Sequence, residues 1–357
     1  MLAELSASPA PDQLYERFVA TRRERKLRHR DAARELGVSE GAAIASAVGR
    51  RDGLAAMRLK GPWPALFEQV PQLGTVLALT RNDSCVHEKT GRYEDMSHEG
   101  LVGLALGKAI DLRIFYMRWA HAFAVTEPTP QGVQRSLQIY DAHGDAVHKI
   151  FLREDSDLVA WLAFVERNAH DDQTPGGRFE SERNSAAVIP DEDIDVNAFQ
   201  QAWAAMTDTH EFFPLLRKFK LGRTQALRLA PGDFAYRVPV SSARQVLQEA
   251  AHEELSIMCF VGNPGMIQIH TGPVKRVEIM GDWLNVLDPG FNLHLREDHI
   301  AAAWVVKKPT SDGAVTSLEL FDPNGETIAM FFGERKPGIP ELQHWRDVAA
   351  RLPRLDA

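Results

Sequence analysis

Shifted against itself by 181 residues, this sequence gives a run of matches without gaps. Asn82 falls on Asn263, Thr90-Gly91 on Thr271-Gly272 and Leu112 on Leu293. Farther on, Pro128-Thr129 falls on Pro309-Thr310, Gly132 on Gly313, and Ser136-Leu137 on Ser317-Leu318. Asp141 falls on Asp322, Gly144 on Gly325 and Phe151 on Phe332. Many other pairs are alike in kind, such as Tyr140 with Phe321 and Val147 with Ile328. A period this long marks a duplicated domain, not a short-repeat solenoid. A reading of one half must therefore serve the other.

Each half reads as helices, then a long β region, then one terminal helix. The helices cover residues 11–46 in the first half and 197–230 in the second. Ser136-Leu137-Gln138-Ile139-Tyr140 reads as a strand that runs into Asp141-Ala142-His143-Gly144, where Asp and Gly suit turn positions. Its partner is residues 317–321 followed by Asp322-Pro323-Asn324-Gly325. The next strand is 146–152 or 327–332, and such strand-turn-strand spacing predicts antiparallel pairing. Terminal helices follow at 158–165 and 342–348. The expected class is α+β, a tandem duplication in which each half has N-terminal helices, a large antiparallel β-sheet and a terminal helix. The expected boundaries are 1–168 for the first repeat, 169–194 for a linker and 195–357 for the second repeat. The linker is polar and turn-rich and ends in an acidic run at 191–195, which predicts an exposed, mobile segment.

With 357 residues, 44% apolar and 25% charged, the chain has the ordinary make-up of a globular protein with room for two cores. No apolar run approaches the ~20 residues of a membrane helix, and no secretory signal is visible, so no membrane insertion is expected. Cys85 and Cys259 are too few for a disulfide framework and read as buried thiols in a reducing, cytoplasmic setting. The net charge of −8 disfavours non-specific nucleic-acid binding. Residues 17–34 are a local exception, with eight Arg/Lys against Glu24 and Asp31. Arg30 to Glu40 also has the look of a helix-turn-helix, with Gly37 as the turn and Ser39 as the cap of the second helix. A DNA-binding regulator acting through residues 17–45 is therefore one reading; a solvated basic helix is the plainer one.

One stretch concentrates chemistry: Met206-Thr207-Asp208-Thr209-His210-Glu211-Phe212-Phe213. Asp208 suits an N-cap and Glu211 the N3 position of a capping box. Pro214 cannot donate to the His210 carbonyl, so a kink or restart is expected there. A histidine at an irregular helix start, flanked by aromatics, suits a planar apolar ligand with a metal at its centre; taken alone, the stretch is better read as the cap of a core helix. The repeat breaks its own symmetry nearby. Arg113 falls on His294, Glu127 on Lys308 and Ile150 on Phe331, while His210 has Arg25 opposite it.

Several segments, in order, resemble the bacterial cytoplasmic hemin-transport or hemin-degrading protein family. They are Thr80-Arg81-Asn82 with Cys85-Val86-His87-Glu88-Lys89, Asp208 to Phe213, Phe260-Val261-Gly262-Asn263, His270-Thr271-Gly272-Pro273-Val274, Lys308-Pro309-Thr310 and Phe331-Phe332-Gly333-Glu334-Arg335. The resemblance spans nearly the whole chain, duplication included. It implies one heme b (iron protoporphyrin IX) held between two similar α+β halves. It implies His210 as the axial iron ligand, in keeping with imidazole as a common heme ligand. It implies Arg223, Lys308 and Arg335 as partners of the propionates, Phe260 against the porphyrin, and Arg113 on the distal side. Many relatives have Gln before the Phe-Phe-Gly motif, where this chain has Met330.

Histidines followed by Glu occur at His87, His98, His210 and His252, none with the second histidine of a zinc protease motif. His270 and His294 read as hydrogen-bonded sheet histidines. The expected activity is receipt of imported heme and its delivery to a heme-accepting enzyme or other acceptor, with the importer and that enzyme as partners. The enzymatic alternative is oxygen- and reductant-dependent ring opening in the same pocket.

Overall fold

The computed structural model describes residues 10–181, 189–335 and 338–355. In the first half the order is α1 (Pro11–Arg25), α2 (His29–Glu35), α3 (Glu40–Ala45), β1 (Ala55–Leu59), α4 (Trp63–Phe67), β2 (Gly74–Arg81), β3 (Cys85–Gly91), β4 (Met96–Glu99), β5 (Val102–Leu106), β6 (Asp111–Phe115), β7 (His121–Thr129), β8 (Gly132–Tyr140), β9 (Ala146–Ser156) and α5 (Leu158–Asn168). In the second half it is α6 (Val196–Ala204), α7 (Phe212–Phe219), α8 (Arg223–Arg228), β10 (Ala235–Val238), α9 (Ser242–His252), β11 (Ser256–Asn263), β12 (Met266–Pro273), β13 (Val277–Met280), β14 (Trp283–Asp288), β15 (Phe291–Arg296), β16 (Ala302–Lys308), β17 (Val315–Phe321), β18 (Thr327–Gly333) and α10 (Gln343–Ala350). Among the described residues, no helix is long and apolar enough to cross a membrane.

The chain packs into two compact units. One is Met1–Leu79, Thr90–Asn184 and Pro264–Met266; the other is Thr80–Lys89, Ser185–Asn263 and Ile267–Ala357. In the first unit β1, β7, β8, β9 and β2 lie side by side, all antiparallel, and β4, β5 and β6 form a meander. In the second unit β10, β16, β17, β18 and β11 repeat the five-strand order. There β3 of the first half pairs with β15, which continues to β14 and β13.

The repeated turn is built as its residues predict. The Asp141 carboxylate accepts from the N–H groups of His143 and Asp145, and Asp322 does the same for Asn324 and Glu326. Gly144 and Gly325 supply the positive φ, at 83° and 79°, that a side chain would resist. Helix starts are capped by carboxylates: Asp157 accepts from Ala160 N–H and Asp195 from Ala198 N–H, both at 2.9 Å.

In the second unit the five-strand sheet buries both faces. Val305, Leu318, Leu320, Ala329, Phe331, Ile257 and Cys259 pack with α9 and α10, where Trp345 is fully buried. On the other face Trp304, Val306 and Phe321 pack under Phe199, Trp203, Phe212 and Leu216 of α6 and α7. Trp203 and Trp345 each place their ring N–H on a strand carbonyl, Lys307 and Thr316. Truncating either to Ala removes ~3–5 kcal/mol of packing.

Two expectations are corrected. The linker is not a free segment over residues 169–181. His170 N–H donates to the Arg58 carbonyl, Gly176 N–H to Ala45 and Glu180 N–H to Ala142. The Arg58 guanidinium in turn donates to the carbonyls of Asp172, Thr174 and Gly176. These residues do meet solvent, as their polar composition foretold, while their backbone groups also find partners on the first unit. Residues 182–188 of the expected linker lie outside the described residues. The helix-turn-helix outline does form: Gly37 has φ +68°, and Ser39 accepts from Ala42 N–H. Yet Glu40, Gly41, Ala43, Ile44 and Ala45 of α3 are buried, so this helix has no free face to enter a DNA groove.

Candidate functional site

Asp208 has extended backbone (φ −145°, ψ 140°), and residues Thr209–Glu211 make a single 3-10 turn before α7 starts at Phe212. The restart expected at Pro214 thus comes two residues earlier. Pro214 sits in the first turn of α7, where its missing N–H costs nothing. Asp208 caps the turn, accepting from His210 N–H at 2.7 Å. Glu211 does not close a capping box; its carboxylate accepts the Thr207 hydroxyl at 2.8 Å. Ser311 N–H donates to the Thr207 carbonyl, tying the turn to the β16–β17 loop. Phe212 is buried against Trp203, ring centroids 4.7 Å apart, and anchors the segment. The His210 side chain projects outward, 90% exposed.

Beneath this turn a row of side chains crosses four strands. Trp304 (β16) faces Glu319 (β17), Glu319 faces Met330 (β18), and Met330 faces Phe260 (β11). Lys308 lies four residues along β16 from Trp304 and so shares its face. Glu319 is 0% exposed. It accepts Nε and Nη2 of Arg223 at 2.8 and 2.9 Å, Nζ of Lys308 at 2.9 Å and the Ser317 hydroxyl at 3.0 Å. Burial by itself would raise the Glu319 carboxyl, but the Arg223 and Lys308 charges hold it far below the ordinary range. Burial pushes the Lys308 amine down, against the pull of Glu319. Both cations also lie over the Phe212 ring, 5.4 Å for Arg223 and 4.6 Å for Lys308.

Where α6 to α8 stop covering the sheet, Met258, Phe260, Met330 and Phe332 remain half-buried on that face. The Phe260 and Phe332 rings lie 4.9 Å apart. Met330 Sδ accepts from Arg223 at 3.3 Å, so the methionine is tied to the charged cluster. Arg335 follows β18 at 4.0 Å from Asp312, and its charge acts on Asp208. The second unit therefore brings together Arg223, Lys308 and Met330 around Glu319, with Phe260 on the strand beyond Met330 and His210 on the adjoining turn. Arg113 lies on β6 of the first unit, ion-paired with Asp111.

His270 and His294 are hydrogen-bonded sheet residues. His270 donates Nε2–H to the Gly272 carbonyl and stacks on Phe291, and burial, with Lys89 beside it, pushes it down to about 3. His294 Nδ1 lies 2.6 Å from Asn285 Oδ1. Glu319 escaped the sequence reading. Its signal was an acid alone within Val315–Phe321, a strand whose every residue is buried.

The first unit holds the register image of this row: Phe123, Gln138, Lys149 and Leu79 face one another across β7, β8, β9 and β2. Here the polar groups are spent internally. Lys149 pairs with the buried Glu40 of α3, and Gln138 binds Tyr140 and Ser136. Glu127, the counterpart of Lys308, is held by Arg22 at 2.5 Å and His29 at 3.0 Å.

A family model for the haemin-degrading HemS.ChuX domain matches this sequence twice, over residues 37–168 and 220–352. The hemin transport protein HemS of Yersinia enterocolitica is 41% identical over 345 residues, covering 96% of this chain and 98% of its own length. The hemin transport protein HmuS of Yersinia pestis matches to the same extent. Among solved structures, holo-PhuS, a heme-binding protein from Pseudomonas aeruginosa, has a TM-score of 0.94 at 46% identity and covers 97% of this chain and 100% of its own. The heme degrading enzyme ChuS of Escherichia coli O157:H7 has a TM-score of 0.89 at 35% identity, covering 96% and 99%. The double match and the shared fold bear out the duplication and the α+β class expected from sequence.

Proposed function

Since this chain belongs to the haemin-degrading HemS.ChuX domain family, we propose that it is a cytoplasmic heme carrier that receives imported heme and passes it to a heme-degrading enzyme or other acceptor. The observation that carries hand-over is the exposure of His210 on an open turn. A ligand held there is gained and lost without unpacking a core. The residues suit heme b: an imidazole with an outward nitrogen, a half-buried apolar face at Phe260, Met330 and Phe332, and cations at Arg223, Lys308 and Arg335 for the propionates. For Arg113 the proposal keeps the distal-side role that the resemblance implies.

The test is aerobic and anaerobic incubation of the heme complex with a reductant and catalase, followed by addition of an apo heme protein. The carrier reading expects the Soret band to persist and then to move to the acceptor. Oxygen-dependent bleaching with catalase present would replace that reading with enzymatic ring opening, because catalase removes the peroxide that destroys heme without an enzyme.

A further inference from the structure

Two groups of His210 converge on one oxygen. The backbone N–H and ring Nδ1 each lie 2.7 Å from Asp208 Oδ1. An ionised carboxylate only accepts, so Nδ1 carries the proton and the lone pair is left on Nε2. The exposed ring is held by that one hydrogen bond and by the segment that carries it. Its backbone is fixed by the same carboxylate, the turn is tied through Thr207 to Ser311 and Glu211, and Phe212 is buried immediately after it.

We propose that Asp208 is a positioning residue for the iron that His210 ligates: it selects the Nδ1–H tautomer, aims Nε2 outward and, as an anion, makes that nitrogen a stronger donor. The inference rests on the heme-binding reading for its iron, but the tautomer is a property of the chain alone.

The first test needs no ligand. Nitrogen-15 NMR of the ligand-free full chain, at a pH where imidazole is neutral, reports which ring nitrogen of His210 bears the proton. The expected result is Nδ1–H in the parent and a shift toward Nε2–H in Asp208→Asn and Asp208→Ser. Asparagine and serine both keep an oxygen able to cap the turn while removing the anion, so a tautomer change common to both is assigned to the anion and not to the cap. A parent already in the Nε2–H form, or no change in either variant, overturns the proposal.

The second test uses the heme-loaded protein. Both variants are expected to lower the iron–histidine stretching frequency of the ferrous complex and raise the midpoint potential. Ferric affinity is expected to fall about 10–100-fold, and ferrous affinity less. If stretch and potential stay at the parent values, Asp208 is a turn cap only. A His210→Ala control that leaves the complex spectrum unchanged overturns the ligand reading itself, whatever the tautomer proves to be.

Discussion

Arg223 grips Glu319 with a two-point fork, Nε to Oε2 at 2.8 Å and Nη2 to Oε1 at 2.9 Å, although Glu319 is fully buried. The pair, with Lys308, leaves one net positive charge under the turn that carries His210. A propionate would meet cations already held in place by an internal anion.

Glu319→Gln keeps the volume and removes that anion, leaving Arg223 and Lys308 facing each other. Breaking one side of a buried pair costs about 3–5 kcal/mol, read as a lower urea midpoint. The acid response follows from the sign of the shift. Glu319 is depressed in the folded state, so its stabilisation is full above the ordinary carboxylate value and drains away as pH falls below it. Urea titrations at several pH values should show the parent losing stability in that window, with the contribution assignable to Glu319 absent from the variant.

His210→Ala should shift the Soret band and weaken heme binding. Absorbance titration with hemin checks it. Unchanged spectrum and affinity would make another residue, with His294 the first to examine, the iron ligand.

Arg223→Ala combined with Arg335→Ala should weaken heme binding by more than tenfold. Each charged hydrogen bond is worth ~1.5–3 kcal/mol when partly buried, and each decade of affinity is ~1.4 kcal/mol. The loss should be larger at low salt, because fewer dissolved ions then screen the attraction between these cations and the propionates. An identical titration curve would place the propionates elsewhere.

Arg58→Ala should free the segment at 170–178 without unfolding the first unit. Losing its donors to the Asp172, Thr174 and Gly176 carbonyls is expected to speed amide exchange at Gly176 by about tenfold, the equivalent of one hydrogen bond of ~1.4 kcal/mol. Hydrogen-exchange mass spectrometry across residues 169–181 reads this directly.

The turns at Asp141 and Asp322 were legible because their hydrogen bonds are local, side chain to backbone within four residues. The pairing of β3 with β15 was not, since Lys89 meets Phe291 across two hundred residues of chain with no local mark of the partner. The tether of residues 169–181 was hidden for a related reason: its bonds to Arg58 and Ala45 run mostly through main-chain carbonyls, which every sequence possesses. At the site, residue types suggested cations for an anionic ligand. They did not reveal that Arg223 and Lys308 already share Glu319, because the burial of one acid is decided by the sheet and helices around it.

The two equivalent rows also divide the consequences of change between the copies. In the first, Lys149 answers Glu40 and Glu127 answers Arg22 and His29, so a substitution there is felt as lost cohesion. In the second, Met330 and Phe260 lie half open and His210 faces outward, so a substitution there is felt first as altered recognition.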